Sequence, residues 1–270
     1  MRRFALVAHL AFPFLLSLNQ AAFAQAPVSS TAPTSVRDAQ AVALLQASAA
    51  AMAKASPSDS VATGSVTLVA GSTTQQGTIR ILTKGTSQTS VQVQTPDAAW
   101  SVIYSNSLAS RSDGTSAKPL YMEQAASSRS AYFPYAIVAD LVTNQDNAFT
   151  YIGQESLGQS PVQHIRAWNT FSSNPLLRFL TDFTVTDFWL DSASGLPLQI
   201  SFVRRDGGGA APRIPITVSY AKYQNVGGVL YPFQIEEFVN GTLWATTTIQ
   251  SVSFNTGLTD ADFPVSQGAN

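Results

Sequence analysis

From Ser60 onward the apolar residues of this chain recur with period two, in short runs bounded by turn residues. That pattern commits most of the chain to antiparallel β-structure. Residues 61–69, 78–83, 87–94 and 100–104 read as four successive strands, with Gly71, Gly77, Gly85 and Pro96 marking the turns. Residues 149–153 and 162–168 read as a strand pair. Five more strands follow at 185–190, 196–204, 214–223, 229–239 and 243–254. Asn240-Gly241 between the last two is a strong hairpin signal, because a type I′ turn needs positive φ at both positions. The expectation is a meander of eleven strands.

Helical segments interrupt the pattern in two places. Ala39 to Ala53 is rich in Ala, with Leu45, Ala49 and Met52 on one face, and Pro57 ends it. Ser35, with Asp38 three residues on, reads as the opening of that helix in a near capping box. Residues 121–126 suit helix. A second helix starts at Pro134, where proline is tolerated in the first turn, and carries Phe133, Ile137, Val138, Leu141 and Val142 on an apolar face. A short segment at 174–180 reads as a helical turn.

An open sheet of about ten or more twisted strands curls, splits or flattens. Here many strands carry apolar residues on both faces: Ile79 and Ile81 against Leu82, Phe188 and Leu190 against Trp189. A meander with one wet face alternates more cleanly. Something apolar must therefore cover part of both faces. The helices either complete a dry core or act as lid and plug over a cavity for an apolar ligand. The fold class expected is mainly β (α+β), a curled sheet or unclosed β-barrel with an N-terminal helix and a helical lid.

The first residues have another role. Met1-Arg2-Arg3, a mostly apolar stretch to Leu18, and Ala22-Phe23-Ala24 form the three-part pattern of an export signal, cut after Ala24 or Ala26. The apolar stretch is shorter than the ~20 residues a spanning helix needs. The domain reading is a signal peptide at 1–24, a flexible linker at 25–35 and one β domain at 36–265 with a helical insertion at about 117–144. The expected location is the periplasm or the medium.

Composition narrows the chemistry. Charged residues are 11% of the chain and the net charge is -1, which speaks against a nucleic-acid surface. With no cysteine there is no disulfide, no thiolate metal site, no Cys nucleophile and no lipid-anchor Cys. His164 is the one histidine after the signal, so a histidine metal cluster is excluded and no metal or cofactor is expected. A hydrolase would need His164 as base, but no Gly-x-Ser-x-Gly elbow is present. Glu236 and Glu237 are neighbours on a strand and point to opposite faces. Asp191 is placed to start its turn by bonding the backbone. Gly207-Gly208-Gly209 lies between two strands and reads as a loop, not a phosphate cradle. Trp100, Trp168, Trp189 and Trp244 read first as sheet packing.

Phe188-Trp189-Leu190-Asp191 followed by Ser194-Gly195-Leu196-Pro197 resembles the paired strands and turn of the LolA/LolB-like superfamily. Tyr220 to Tyr223, Val226-Gly227-Gly228, Tyr231-Pro232 and Asn240-Gly241 are similar to its last hairpins, and 248–255 with 260–263 to its terminal strand and tail. The specific part covers about residues 185–264; residues 36–170 agree only in the order of elements. The chain departs in being longer, with an expanded region at 105–147. The arginine that the family's carriers use on their barrel is not carried over to Arg80 or Arg111.

The resemblance implies a non-catalytic periplasmic carrier of a lipid or lipoprotein acyl chain. Its partners would be that chain and a membrane-associated receptor, with no nucleic acid, and the oligomeric state stays open. The lining expected for the cavity is Trp100, Phe133, Ile137, Leu141 and Trp189. The competing readings are an exported structural or interaction module whose sheet is self-filled, and a hydrolase built on His164.

Overall fold

The computed structural model describes residues 37–127, 131–205 and 212–266. The export signal, the linker, Ser35 and the glycine run at 207–209 lie outside the described residues. The chain forms one thirteen-stranded antiparallel sheet. In chain order the elements are α1 (Ala39–Met52), β1 (Asp59–Ala70), β2 (Thr73–Lys84), β3 (Gln88–Gln94), β4 (Ala99–Ser105), β5 (Leu108–Ser112), β6 (Ala117–Pro119), α2 (Met122–Ser127) and α3 (Pro134–Thr143). Then come β7 (Asn147–Leu157), β8 (Ser160–Asn169), a three-ten helix (Pro175–Phe183), β9 (Thr186–Asp191), β10 (Pro197–Arg205), β11 (Arg213–Val226), β12 (Val229–Val239) and β13 (Thr242–Phe254).

The expected count of eleven strands is corrected to thirteen. The two additions, β5 and β6, are short and poor in β-branched residues. They exist because β5 pairs along β4 and β6 along β5. β6 begins at Ala117, so the interval expected to be a helical insertion opens with a strand.

Spatial order follows chain order with one closure: β1 pairs β13. The two free edges are therefore β6 and β7, and α2 and α3 are the chain that joins them. The barrel is unclosed at that seam. β1 approaches β13 so closely at a bulge that a Cβ on Gly64 would collide with the Thr248 carbonyl. The last hairpin turns on Asn240 at φ 50° and Gly241 at φ 75°, as a type I′ turn demands.

One face of the curled sheet and the two longer helices share a single apolar cluster. It joins Val66, Ile81, Val93, Ile235, Ile216 and Phe188 of the sheet to Leu45 and Met52 of α1 and Ile137, Val138 and Leu141 of α3. α1 opens on Asp38, whose carboxylate accepts from the backbone N–H of Gln40 and Ala41, so Asp38 itself is the cap. α3 has ten residues and no side-chain cap. A helix that short is marginal alone, so its stability comes from burial. Three side chains at roughly 1.5–3 kcal/mol each contribute about 5–9 kcal/mol before entropy.

Candidate functional site

Strand register decides which side chains enter the hollow. Leu68, Trp100, Tyr132, Ile214 and Val239 pack against the interior cluster yet stay partly exposed, as do Ala139 and Val142 of α3, whereas Ile137, Val138 and Leu141 of α3 are buried. Every residue of β4 is partly exposed. The hollow is thus filled by α1 and α3 on one side and left half-covered beside β4.

The filled part is aromatic. Phe133 stacks on Tyr231 with ring centroids 5.1 Å apart, and Phe254 lies 5.8 Å from Phe133. The Tyr231 hydroxyl is buried and has no hydrogen-bond partner among the described residues. Tyr220 donates to the Ala131 carbonyl at 2.7 Å and Tyr135 to Ser56 at 2.7 Å. Burial pushes the phenols of Tyr132, Tyr220 and Tyr231 up, with the Glu237 charge adding to the first two. Arg37 clamps the other end of α3: it donates to the carbonyls of Val142, Asn144 and Asn147 at 3.1–3.2 Å and lies over the Phe149 ring.

Glu237 and Arg204 sit among these groups. Glu237 pairs across the strands with Val218 and Ala245, both buried, so it faces inward, opposite to Glu236. Its carboxylate lies 3.9 Å from the Arg204 guanidinium. Burial raises its pKa, and Arg204 opposes that. On the far wall the register Val102↔Arg111↔Lys118 places Arg111 and Lys118 on the Trp100 face, with the Arg111 guanidinium 6.0 Å from the Trp100 ring.

The other face of the sheet carries a second polar centre. His164 Nδ1 is 2.8 Å from Glu155 and Nε2 is 3.0 Å from Asp187. Arg166 donates two bonds to Asp187 at 2.8 and 3.0 Å, and the Trp189 indole donates to Glu155. The Trp189 and His164 rings stack at 4.6 Å. Burial alone would lower the imidazole pKa, but the carboxylates outweigh it and the net shift is upward. For Asp187 and Glu155, burial likewise raises the pKa and is overcome by their donors. Carboxylates at both nitrogens favour the protonated ring, and they occupy the positions from which it would accept a serine proton. Among the described residues no group of acids and histidine is arranged to hold a metal ion.

A cavity of about 510 Å³ opens on this solvent face of β1–β5. Thr63, Arg80, Gln92 and Ser101 form one wall in register, Thr78 and Gln94 the other. Ile79 and Val93 form its floor, and their side chains belong to the interior cluster, so the trough runs over the backs of the strands. Polar side chains wall it, and Ala99, Trp100 and Gly114 border it as well.

Of the five lining residues expected, Phe133, Ile137 and Leu141 are buried in the filled part of the hollow, and Trp100 stands at its half-covered side. Trp189 points to the opposite face, since its register partners are His164 and Gln199. The structure does not bring the five together. Sequence pattern alone gives Arg37, Glu237, Arg111 and Lys118 no place at the site; parity along each strand assigns the last three to a face once the pairing is given. Asp191 starts its turn as expected, accepting from Ala193 and Ser194.

No protein-family model matches this chain, and no curated protein matches it. Solved structures do. A LolA superfamily protein from Nitrosomonas europaea is 12% identical, with 83% of this chain and 97% of that chain covered at a TM-score of 0.55. A structure from Vibrio parahaemolyticus described as an outer membrane lipoprotein-sorting protein domain is 16% identical, covering 82% and 95% at 0.54. A DUF1329 family protein from Desulfovibrio piger is 10% identical, covering 83% and 96% at 0.55. At these identities the likeness is one of fold: the chain has the LolA-like fold.

Proposed function

We propose that this chain is an exported, non-catalytic binder of a lipid-like ligand, an acyl chain lodging in the hollow of the curled sheet. The observation that carries the reading is the unequal filling of that hollow. Every residue of β4 stays partly exposed, Trp100 among them, and α3 covers the cluster from a seam where the sheet edges do not pair. Trp100 is the lining residue the guest meets first; Phe133, Ile137 and Leu141 become lining as α3 shifts. The likeness to a lipoprotein-sorting domain supports the ligand class. An acyl chain gains roughly 0.8 kcal/mol per buried CH₂ and association costs about 4–15 kcal/mol, so binding without strong polar anchors is reversible.

The competing reading, a self-filled interaction module, rests on the aromatic stack of Phe133, Tyr231 and Phe254, which packs the entry to α3 with the chain's own side chains. Native mass spectrometry of the exported protein separates the two. Carriage expects a mass excess that organic solvent removes; a self-filled module flies at its bare mass and ignores the apolar dye N-phenyl-1-naphthylamine.

A further inference from the structure

Arg111 and Lys118 face each other directly across β5 and β6. Side chains so paired have Cβ atoms about 4.5–5.5 Å apart, and like charges there destabilise a sheet. The cost falls on the weakest part of the sheet: β6 has three residues and is a free edge. Neither cation has an ion-pair or hydrogen-bond partner among the described residues. The acid nearest Arg111 along the chain, Asp113, is engaged within the hairpin, where it accepts from Thr115 and Ser116; Glu123, as near to Lys118 as Asp113 is, opens α2. Both cations are exposed; by register they lie on the same sheet face as Trp100, beside the open seam. A chain with 11% charged residues places two unneutralised cations where an oily guest would enter.

We propose that Arg111 and Lys118 form the seat for an anionic head group, phosphate or carboxylate, of an amphiphile whose chain lies against Trp100 and enters the hollow. The inference rests on the binding function proposed above and adds the class of ligand. An arginine fork matches the two oxygens of either anion, and a lysine adds a point charge. An anion between them removes the repulsion that the empty pair carries. Glu237 and Arg204 lie on the other wall. There Arg204 lies 3.9 Å from the Glu237 carboxylate, so that acid is already paired.

The test is displacement of N-phenyl-1-naphthylamine by dodecyl phosphate, dodecanol and dodecylamine, on the wild-type chain and on Arg111→Gln with Lys118→Gln. The inference expects dodecyl phosphate to displace the dye at about tenfold lower concentration than dodecanol, an advantage that salt weakens and the double variant reduces to within about twofold. The dye affinity of the variant is measured first, and each displacement is scaled to it. Equal potency of phosphate and alcohol, or a preference that survives the substitutions, overturns the head-group seat while leaving the apolar hollow intact. Inorganic phosphate binding as tightly as dodecyl phosphate, read by calorimetry, overturns the amphiphile and points to a free anion. A protein that binds neither dye nor any of the three amphiphiles overturns both this inference and the function it rests on.

Discussion

The two halves of the sheet are built to different standards. In the half that includes β8–β10, both faces are buried: α1 and α3 cover the inner one, and the outer one holds the His164 network beneath Trp189. β9 has five buried residues out of six. In the half from β1 to β6, the outer face is an open trough and β4 has no buried residue at all. Strands with two covered faces hold a fixed shape, whereas a strand with a half-covered inner face has contact area still to gain. The difference assigns scaffold to one half and guest to the other.

Substitutions can break this comparison. The largest loss is expected for Phe133→Ala, which opens a cavity inside the aromatic stack and costs about 3–5 kcal/mol in a denaturant melt. Asp187→Asn follows, at about 3 kcal/mol, because it strips a buried partner from both His164 and Arg166. It should leave dye binding unchanged; a large loss of dye affinity would erase the division between the halves.

The network also carries a pH signature. The folded pKa of His164 lies above 6.5, so its contribution is complete below that value and is lost as pH rises through the folded one. Asp187 and Glu155 are shifted down, so theirs is present above the usual carboxylate values and is lost as pH falls through the depressed ones. Thermal melts against pH should show a plateau falling on both sides, and His164→Gln should remove the alkaline fall.

Arg37→Ala removes three bonds to carbonyls at the end of α3 and should cost about 1–3 kcal/mol while strengthening dye binding. Trp100→Ala is the mildest for stability, at about 1 kcal/mol for a half-exposed side chain, and should weaken the dye most. A Trp100→Ala protein that binds dye normally would place the guest elsewhere.

Much of the sheet was legible because β-branched residues alternate between strong turn signals, as at Thr78 to Thr83 or Leu243 to Phe254. β5 was not, since Leu-Ala-Ser-Arg-Ser carries no such alternation and depends on β4 for its pairing. The start of α3 at Pro134 could be read from proline chemistry alone. The sites were harder. Trp189 sits between Phe188 and Leu190, so either parity offers an apolar face, and only its pairing with His164 sends it outward. Glu155, His164 and Asp187 come from three strands and meet through register that no local pattern encodes.

The most direct measurement is amide hydrogen exchange with and without dodecyl phosphate. The account predicts slower exchange in β4 and altered exchange in α3, with β8 and β9 unchanged. Unaltered exchange in β4 and α3 under saturating ligand, or an equal change across both halves, would contradict it.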